Sequence, residues 1–345
     1  MSGRDEAPRK VLVTGAGGFL GRHLVADQLS RDREVVALDR DLSALDALSR
    51  TRLHRMKGDV RNEALLEGAV EKVDVIFHLA AAHLSVRAPR SEYRTVNVDA
   101  VRRLAAKGAA AGVGRFVHCS TVGVYGRLAS VPADEETDCA PEFDYERTKL
   151  EGEQALHEVG RSADGVPFVI LRPAWVYGPG CPRTDKLFRA ISRGRFVVAG
   201  RGENLRHSLY IRDAVEAFER AARMPGVVGE TLVIADEGAH TVRALVDEIA
   251  DIEGAARPRS VPAGLLFLAG LTAELAFRAF DREPPLSRRT LRFFSGNTSF
   301  RTDRARDLLG FRPRYSLQAG LEETAEIRRR GAFWSVPMPE PVREA

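Results

Sequence analysis

Short apolar runs alternate with longer helical stretches through the first half of the chain. Lys10–Thr14 (KVLVT), Glu34–Asp39 (EVVALD), Val73–Leu79 (VDVIFHL), Arg115–Ser120 (RFVHCS) and Phe168–Arg172 (FVILR) are rich in β-branched and apolar residues. Near-continuous runs of this kind mark strands covered on both faces. Between them Ala and Leu recur at helical spacing over Gly21–Leu29, Asn97–Gly112 and Tyr145–Gly160. The alternation predicts an α/β chain with a Rossmann-type doubly wound parallel sheet. After Pro173 the pattern loosens. Residues 9–172 are therefore read as the sheet domain, and 173–345 as a smaller C-terminal substrate-binding lobe and tail. Thr231–Ala235 (TLVIA) is a further strand, and 208–235 is expected to return to the sheet.

Val261–Phe280 stands apart, being mostly apolar and about as long as a membrane span. It contains Pro262, Glu274 and Arg278, and isolated charges are costly in hydrocarbon. The expectation is a buried or substrate-covering helix with no membrane span, and peripheral membrane contact is the alternative. The Pro-rich tail from Ser335 is expected to be irregular.

Composition changes this picture little. At 345 residues, 44% apolar and 29% charged, the chain is an ordinary globular protein. A net charge of +4 without a long basic block gives no reason to expect a nucleic-acid partner. Cys119, Cys139 and Cys181 form neither a metal spacing nor a disulfide framework. With a polar Met1–Lys10 that lacks a signal-peptide core, they point to a cytoplasmic protein without metal.

Candidate chemistry begins between the first strand and the first helix, at Thr14-Gly15-Ala16-Gly17-Gly18-Phe19-Leu20-Gly21. Gly15 permits the tight turn, Gly18 lets backbone approach a pyrophosphate, and Gly21 lets helix pack on strand. The helix N-terminus then offers N–H groups to phosphate. Asp39, at the end of the second strand, is placed to accept hydrogen bonds from both ribose hydroxyls and to repel a 2′-phosphate. NAD is favoured over NADP, although the adjacent Arg40 is able to pair with that phosphate. Asp59 and Val60 are expected beside the adenine, and Leu79, Ala80 and Ala81 where the cofactor passes a strand end.

Tyr145 and Lys149 share one face of a predicted helix. A phenol titrating near 10 is a poor base at neutral pH, and a neighbouring ammonium favours its phenolate. Such a pair suits proton exchange with a carbinol during hydride transfer. Ser120-Thr121 ends a strand at the sheet edge where ligands gather. Thr121 is chosen over Ser120 to hold the substrate oxygen because Val124-Tyr125-Gly126 follows.

These segments, with HLAA (His78–Ala81), Asn97, STVGVYG (Ser120–Gly126), YERTK (Tyr145–Lys149), LRPAWVYGPG (Leu171–Gly180) and YIRDAVEA (Tyr210–Ala217), occur in one order. From about Lys10 to Arg330 the chain resembles the extended short-chain dehydrogenases/reductases, the NAD-dependent epimerase/dehydratase family. The resemblance implies a catalytic triad of Thr121, Tyr145 and Lys149, with Pro173 placing the nicotinamide amide. It further implies that Asn97 supports the cofactor side and that two copies pair through the helices starting near Asn97 and Tyr145.

Sugar-nucleotide dehydratases carry two acids after the catalytic hydroxyl, and related decarboxylases usually keep one of them. Here Val122-Gly123 stands there, which argues against both. Two reactions remain. The apolar Val261–Phe280, PPLSRRTLRFF (Pro284–Phe294) and Ser299–Leu321 resemble the 3β-hydroxysteroid dehydrogenase/dihydroflavonol reductase branch, a net oxidoreductase on a small molecule. Tyr125-Gly126, and Arg206 seven residues before Asp213, instead resemble nucleotide-sugar epimerases or sugar ketoreductases, in which such an arginine meets substrate diphosphate. Trp175 either stacks on a base or walls an apolar pocket. A catalytically silent NAD-binding scaffold is disfavoured because both Tyr145 and Lys149 are present.

Overall fold

A computed structural model describes residues 8–48, 51–82, 90–279 and 296–331. The first half runs β1 (Lys10–Thr14), α1 (Phe19–Ser30), β2 (Glu34–Asp39), β3 (Leu53–Lys57), α2 (Glu63–Ala69), β4 (Val75–His78) and α3 (Arg90–Arg94). A π-helical turn at Thr95–Asp99 leads into α4 (Ala100–Ala110), followed by β5 (Arg115–Cys119), α5 (Asp144–Gly160) and β6 (Phe168–Pro173). The second half has β7 (Trp175–Tyr177), α6 (Pro182–Ser192), β8 (Val197–Ala199), β9 (Leu205–Arg206), β10 (Ser208–Tyr210), α7 (Ile211–Arg223) and β11 (Thr231–Ile234). It ends with β12 (His240–Thr241), α8 (Val242–Glu253), β13 (Arg259–Val261), α9 (Ala263–Ala279), α10 (Asp303–Leu309) and α11 (Leu317–Arg330).

Seven strands form a parallel sheet in the order β11-β6-β5-β4-β1-β2-β3. The strand sequence turns back between β1 and β4, which opens a crevice at their carboxyl ends. Strands such as Val11-Leu12-Val13 and Val75-Ile76-Phe77 are buried on both faces. Leu24, Val25, Ala214 and Phe218 of α1 and α7 cover one face, and Val101, Leu104 and Leu156 of α4 and α5 the other. Each large side chain buried this way contributes about 1.5–3 kcal/mol. A separate cluster of Tyr177, Phe188, Tyr210, Val246, Ile249 and Leu321 knits the second half together.

The predicted strands and helices appear within two residues of their expected ends, except that Asn97 falls in the π-helical turn rather than in regular α-helix. Thr231–Ile234 does rejoin the sheet, pairing with β6 from Thr231↔Ile170 to Ile234↔Pro173. Of the two placements expected for the helix over Val261–Phe280, buried or substrate-covering, burial needs correction. Helix α9 forms, but Leu265, Phe267 and Leu268 stand exposed. Among the described residues no helix is long and apolar enough to cross a membrane. Pro284–Phe294, the Ser335 tail and residues 1–7 lie outside the described residues.

Candidate active site

The crevice between β1 and β4 widens into a cavity of about 1130 Å³. That exceeds an ordinary single-ligand pocket of roughly 300–1,000 Å³ and leaves room for a dinucleotide and a substrate together. Gly15, with φ at +70°, bends the chain out of β1. A Cβ on Gly15 would lie 2.7 Å from the Ala80 nitrogen, and one on Gly21 only 2.0 Å from the Gly15 oxygen. The two glycines therefore allow β1, β4 and α1 to meet at the crevice floor. Gly18 is the N-cap of α1, and no side chain caps that terminus. Gly15, Gly18, Phe19 and Leu20 line the cavity, while Gly21 sits beneath it as the packing glycine.

Asp39 lies on the same wall, where its carboxylate accepts from the Gly17 N–H at 3.0 Å and the Asp41 N–H at 3.2 Å. Gly17 was not among the expected site residues, although the glycine run contained it. Arg40, Asp59, Val60, Leu79, Ala80 and Ala81 also line the cavity. Asp59 is gripped at two oxygens by Arg61, at 2.9 and 2.7 Å. Those hydrogen bonds hold its carboxyl below the usual carboxylate range.

Asn97 is placed differently from a direct cofactor ligand. It is fully buried and absent from the cavity wall. Its Oδ1 accepts from the Ala82 N–H at 2.8 Å and its Nδ2 donates to Thr148 Oγ1 at 3.0 Å. Asn97 thus ties the loop after β4 to α5. Gly152 lets α5 close on this turn, since a Cβ there would lie 2.2 Å from the Asn97 backbone carbonyl oxygen.

Thr121, Tyr145 and Lys149 all line the same cavity. The Gly123 N–H donates to Thr121 Oγ1 at 3.1 Å, leaving the threonine's own hydrogen to be donated. Ser120 is differently committed, since its hydroxyl donates to Glu153. That contact supplies a physical reason for Thr121 over its neighbour. Glu153 also receives Arg172 at 3.0 and 2.7 Å, and Arg172 donates to the Tyr125 hydroxyl at 2.9 Å. Burial opposes the Arg172 charge, but the Glu153 carboxylate outweighs it and raises the guanidinium pKa.

Lys149 is buried, and its ammonium donates to the Cys119 carbonyl at 2.6 Å. His118 Nε2 lies 3.4 Å from the same nitrogen. Burial lowers the Lys149 pKa, with Cys119 and Glu153 opposing the shift. Burial also depresses His118 well below the usual imidazole value, and takes His78 down to about 3. The same burial that lowers Lys149 thus disfavours a charge on either imidazole beside it.

Pro173, Trp175 and Arg206 line the far end of the cavity, and Arg206 is mostly buried. Glu146, Thr298 and Phe300 also line the cavity and were not among the expected site residues. Glu146 fills the room left by Gly123, where a Cβ would lie 3.2 Å from its Cγ. Its Oε2 accepts from the Glu142 N–H at 3.1 Å. A carboxylate therefore does stand near Gly123, supplied from α5. Thr298 and Phe300 reach the site through His207, whose N–H donates to Thr298 Oγ1 and whose Nδ1 accepts from the Phe300 N–H.

Residues 11–235 match the model of the NAD dependent epimerase/dehydratase family. The chain belongs to that family. It is accordingly an NAD-dependent enzyme, and the turn at Gly15, the uncapped start of α1 and the Asp39 carboxylate fit that cofactor. Among relatives of this family member, sterol demethylase protein B of Methylococcus capsulatus is 32% identical over 335 residues, covering 93% of this chain and 98% of that protein. An uncharacterized UDP-glucose epimerase, YtcB of Bacillus subtilis, is 32% identical over 266 residues, covering 71% of this chain and 82% of that one. The solved structure of MoeE5 in complex with UDP-glucuronic acid and NAD superposes with a TM-score of 0.75 at 29% identity, covering 93% of this chain and 99% of that one.

Proposed function

We propose that this enzyme is a net dehydrogenase or reductase acting at a secondary alcohol or ketone of an apolar, steroid-like substrate. The observation that carries the reading is the convergence of Thr121, Tyr145 and Lys149 on the cavity that also holds the Gly15 turn and Asp39. NAD, when bound, supplies the two-electron exchange. In the oxidising direction the Tyr145 phenolate takes the hydroxyl proton, and in the reducing direction the phenol returns it. Thr121 donates to the substrate oxygen and fixes its distance from Tyr145. The Lys149 ammonium favours the phenolate electrostatically.

The steroid-like class draws on the near-complete overlap with sterol demethylase protein B and on the apolar wall of Leu128, Phe143, Trp175 and Phe300. A second reading, a nucleotide-sugar epimerase, is favoured by Arg206 in the cavity and by UDP-sugar-bound MoeE5. A guanidinium there suits a diphosphate. Cofactor accounting separates the two. With 3-hydroxysteroids, stoichiometric NADH formation is expected; turnover of UDP-glucose with no net absorbance change would overturn the first reading in favour of the second. Tyr145→Phe should keep NAD affinity and lose most turnover in either case, and undiminished turnover would remove the proton role. A homodimer through α4 and α5 belongs to the same proposal, with light scattering as its measurement.

A further inference from the structure

Exposed large hydrophobic side chains are few among the described residues, and they are not scattered. Of the five, Leu265 at 60%, Phe267 at 43% and Leu268 at 59% lie on the first turns of α9, and Val197 at 41% lies on β8. Strand β8 pairs in parallel with β13, with Val197 opposite Arg259, and β13 runs through Pro262 directly into α9. Four of the five therefore lie on α9 and on the strand paired with the one that leads into it. Single exposed apolar residues are ordinary, whereas a contiguous patch marks an interaction site. From Ala263 to Leu271 the helix carries no polar side chain. An exposed helix start without one polar residue has no use for water on any side.

The rim of the patch is basic. Arg193 and Arg195 precede β8, Arg259 begins β13, and all three are exposed. Among the described residues none of them has an ion pair, whereas the nearby Arg257 is taken by Asp251 at 2.8 Å and Arg201 by Glu203 at 3.1 Å. The patch thus combines an apolar prow with positive charge that no acidic side chain among the described residues pairs. A protein partner would answer the first feature. An anionic lipid surface answers both, because acyl chains take the apolar side chains while headgroups take the guanidinium groups. Crossing is not at issue. A 17-residue helix spans about 25 Å, short of the roughly 30 Å hydrocarbon core.

We propose that the first turns of α9, with Val197 and the arginines of the β8/β13 edge, form a docking surface for an anionic membrane interface. Contact is peripheral, reversible and salt-sensitive. The inference does not use the catalytic reading, so either can fail alone.

The test is co-sedimentation of the full-length chain with vesicles of phosphatidylcholine, alone or mixed equally with phosphatidylglycerol. Binding to the mixed vesicles is expected to be at least about tenfold stronger, and to fall steeply at about 0.5 M NaCl, where screening is within a few Å. Replacing Leu265, Phe267 and Leu268 together by Ser should abolish it. Arg193→Ser, Arg195→Ser and Arg259→Ser together should lower it at least about tenfold. Both variants should keep the parent's NAD affinity and melting temperature, since they alter only exposed side chains. No binding to the mixed vesicles overturns the proposal, as does binding that neither variant weakens. A parent dimer that the Ser variant converts to monomer, without vesicle binding, would assign the patch to a second copy instead.

Discussion

Glu153→Gln is the most informative single substitution outside the catalytic trio. The Glu153 carboxylate is buried and receives three donors: Ser120 Oγ, Arg172 Nε and Arg172 Nη2. Arg172 is itself buried, and among the described residues no other carboxylate grips it. Removing the charge leaves a guanidinium in low dielectric without its counter-ion. Breaking a buried pair in this way costs about 3–5 kcal/mol. The amide oxygen of Gln still accepts one of the three donors, so the lower end, about 3 kcal/mol, is expected. Glu153→Met with Arg172→Met removes both charges. What remains is the loss of partners for Ser120 and for the Tyr125 hydroxyl, about 1–2 kcal/mol together. The two single Met substitutions should therefore sum to about 6 kcal/mol or more, and the double should cost about 2. Urea unfolding with unchanged slope measures each value. Because Ser120 adjoins Thr121, the Gln variant should also lose kcat while keeping NAD affinity. A double variant as costly as the sum of its singles would refute the argument, as would a Gln variant within about 0.5 kcal/mol of the parent.

Other consequences follow from single contacts. Gly15→Ala combines a φ of +70° with a Cβ only 2.7 Å from Ala80 backbone, so about 2–4 kcal/mol of destabilisation and loss of NAD binding are expected in calorimetry. Asp39→Ala removes the carboxylate expected to take the ribose hydroxyls while Arg40 stays beside it, so the NAD/NADP preference should shift toward NADP by about ten- to a hundredfold in KM. Burial holds His23 and His78 at about 3 in the folded state, against about 6.5 unfolded. Their folded pKa values are depressed, so the unfolded chain binds more protons below pH about 6.5. Stability should then fall on acidification by about 1.4 kcal/mol per pH unit for each histidine. His78→Asn should remove about half of the drop attributable to these two between pH 7.5 and 5, measured by urea midpoints; an unchanged drop would count against the burial argument.

Much of the fold and of the cofactor end was legible because there the chemistry restricts residue type and local geometry together. A turn that must admit pyrophosphate and pack a helix leaves only glycine at Gly15 and Gly21, and both requirements act within eight residues of sequence. Tyr145 and Lys149 were legible for the same reason, as one helical turn brings them together. Strand β3 was harder. Leu53–Lys57 (LHRMK) sits at the sheet edge with only Leu53 fully buried, so it has no apolar run to show.

The substrate end resisted reading because its geometry is tertiary. Thr298 and Phe300 reach the cavity through hydrogen bonds to His207, roughly ninety residues away in sequence. The Asn97 side chain serves the site through Ala82 and Thr148 rather than by touching the cavity, a distinction invisible in a motif. Glu146 shows the same limit most sharply. Val122-Gly123 carries no acid, yet a carboxylate from one residue after Tyr145 lines the cavity beside it, with its Cγ 3.2 Å from where a Gly123 Cβ would lie. A side chain added at Gly123 would crowd Glu146, and substituting either one alone changes the space available to the other.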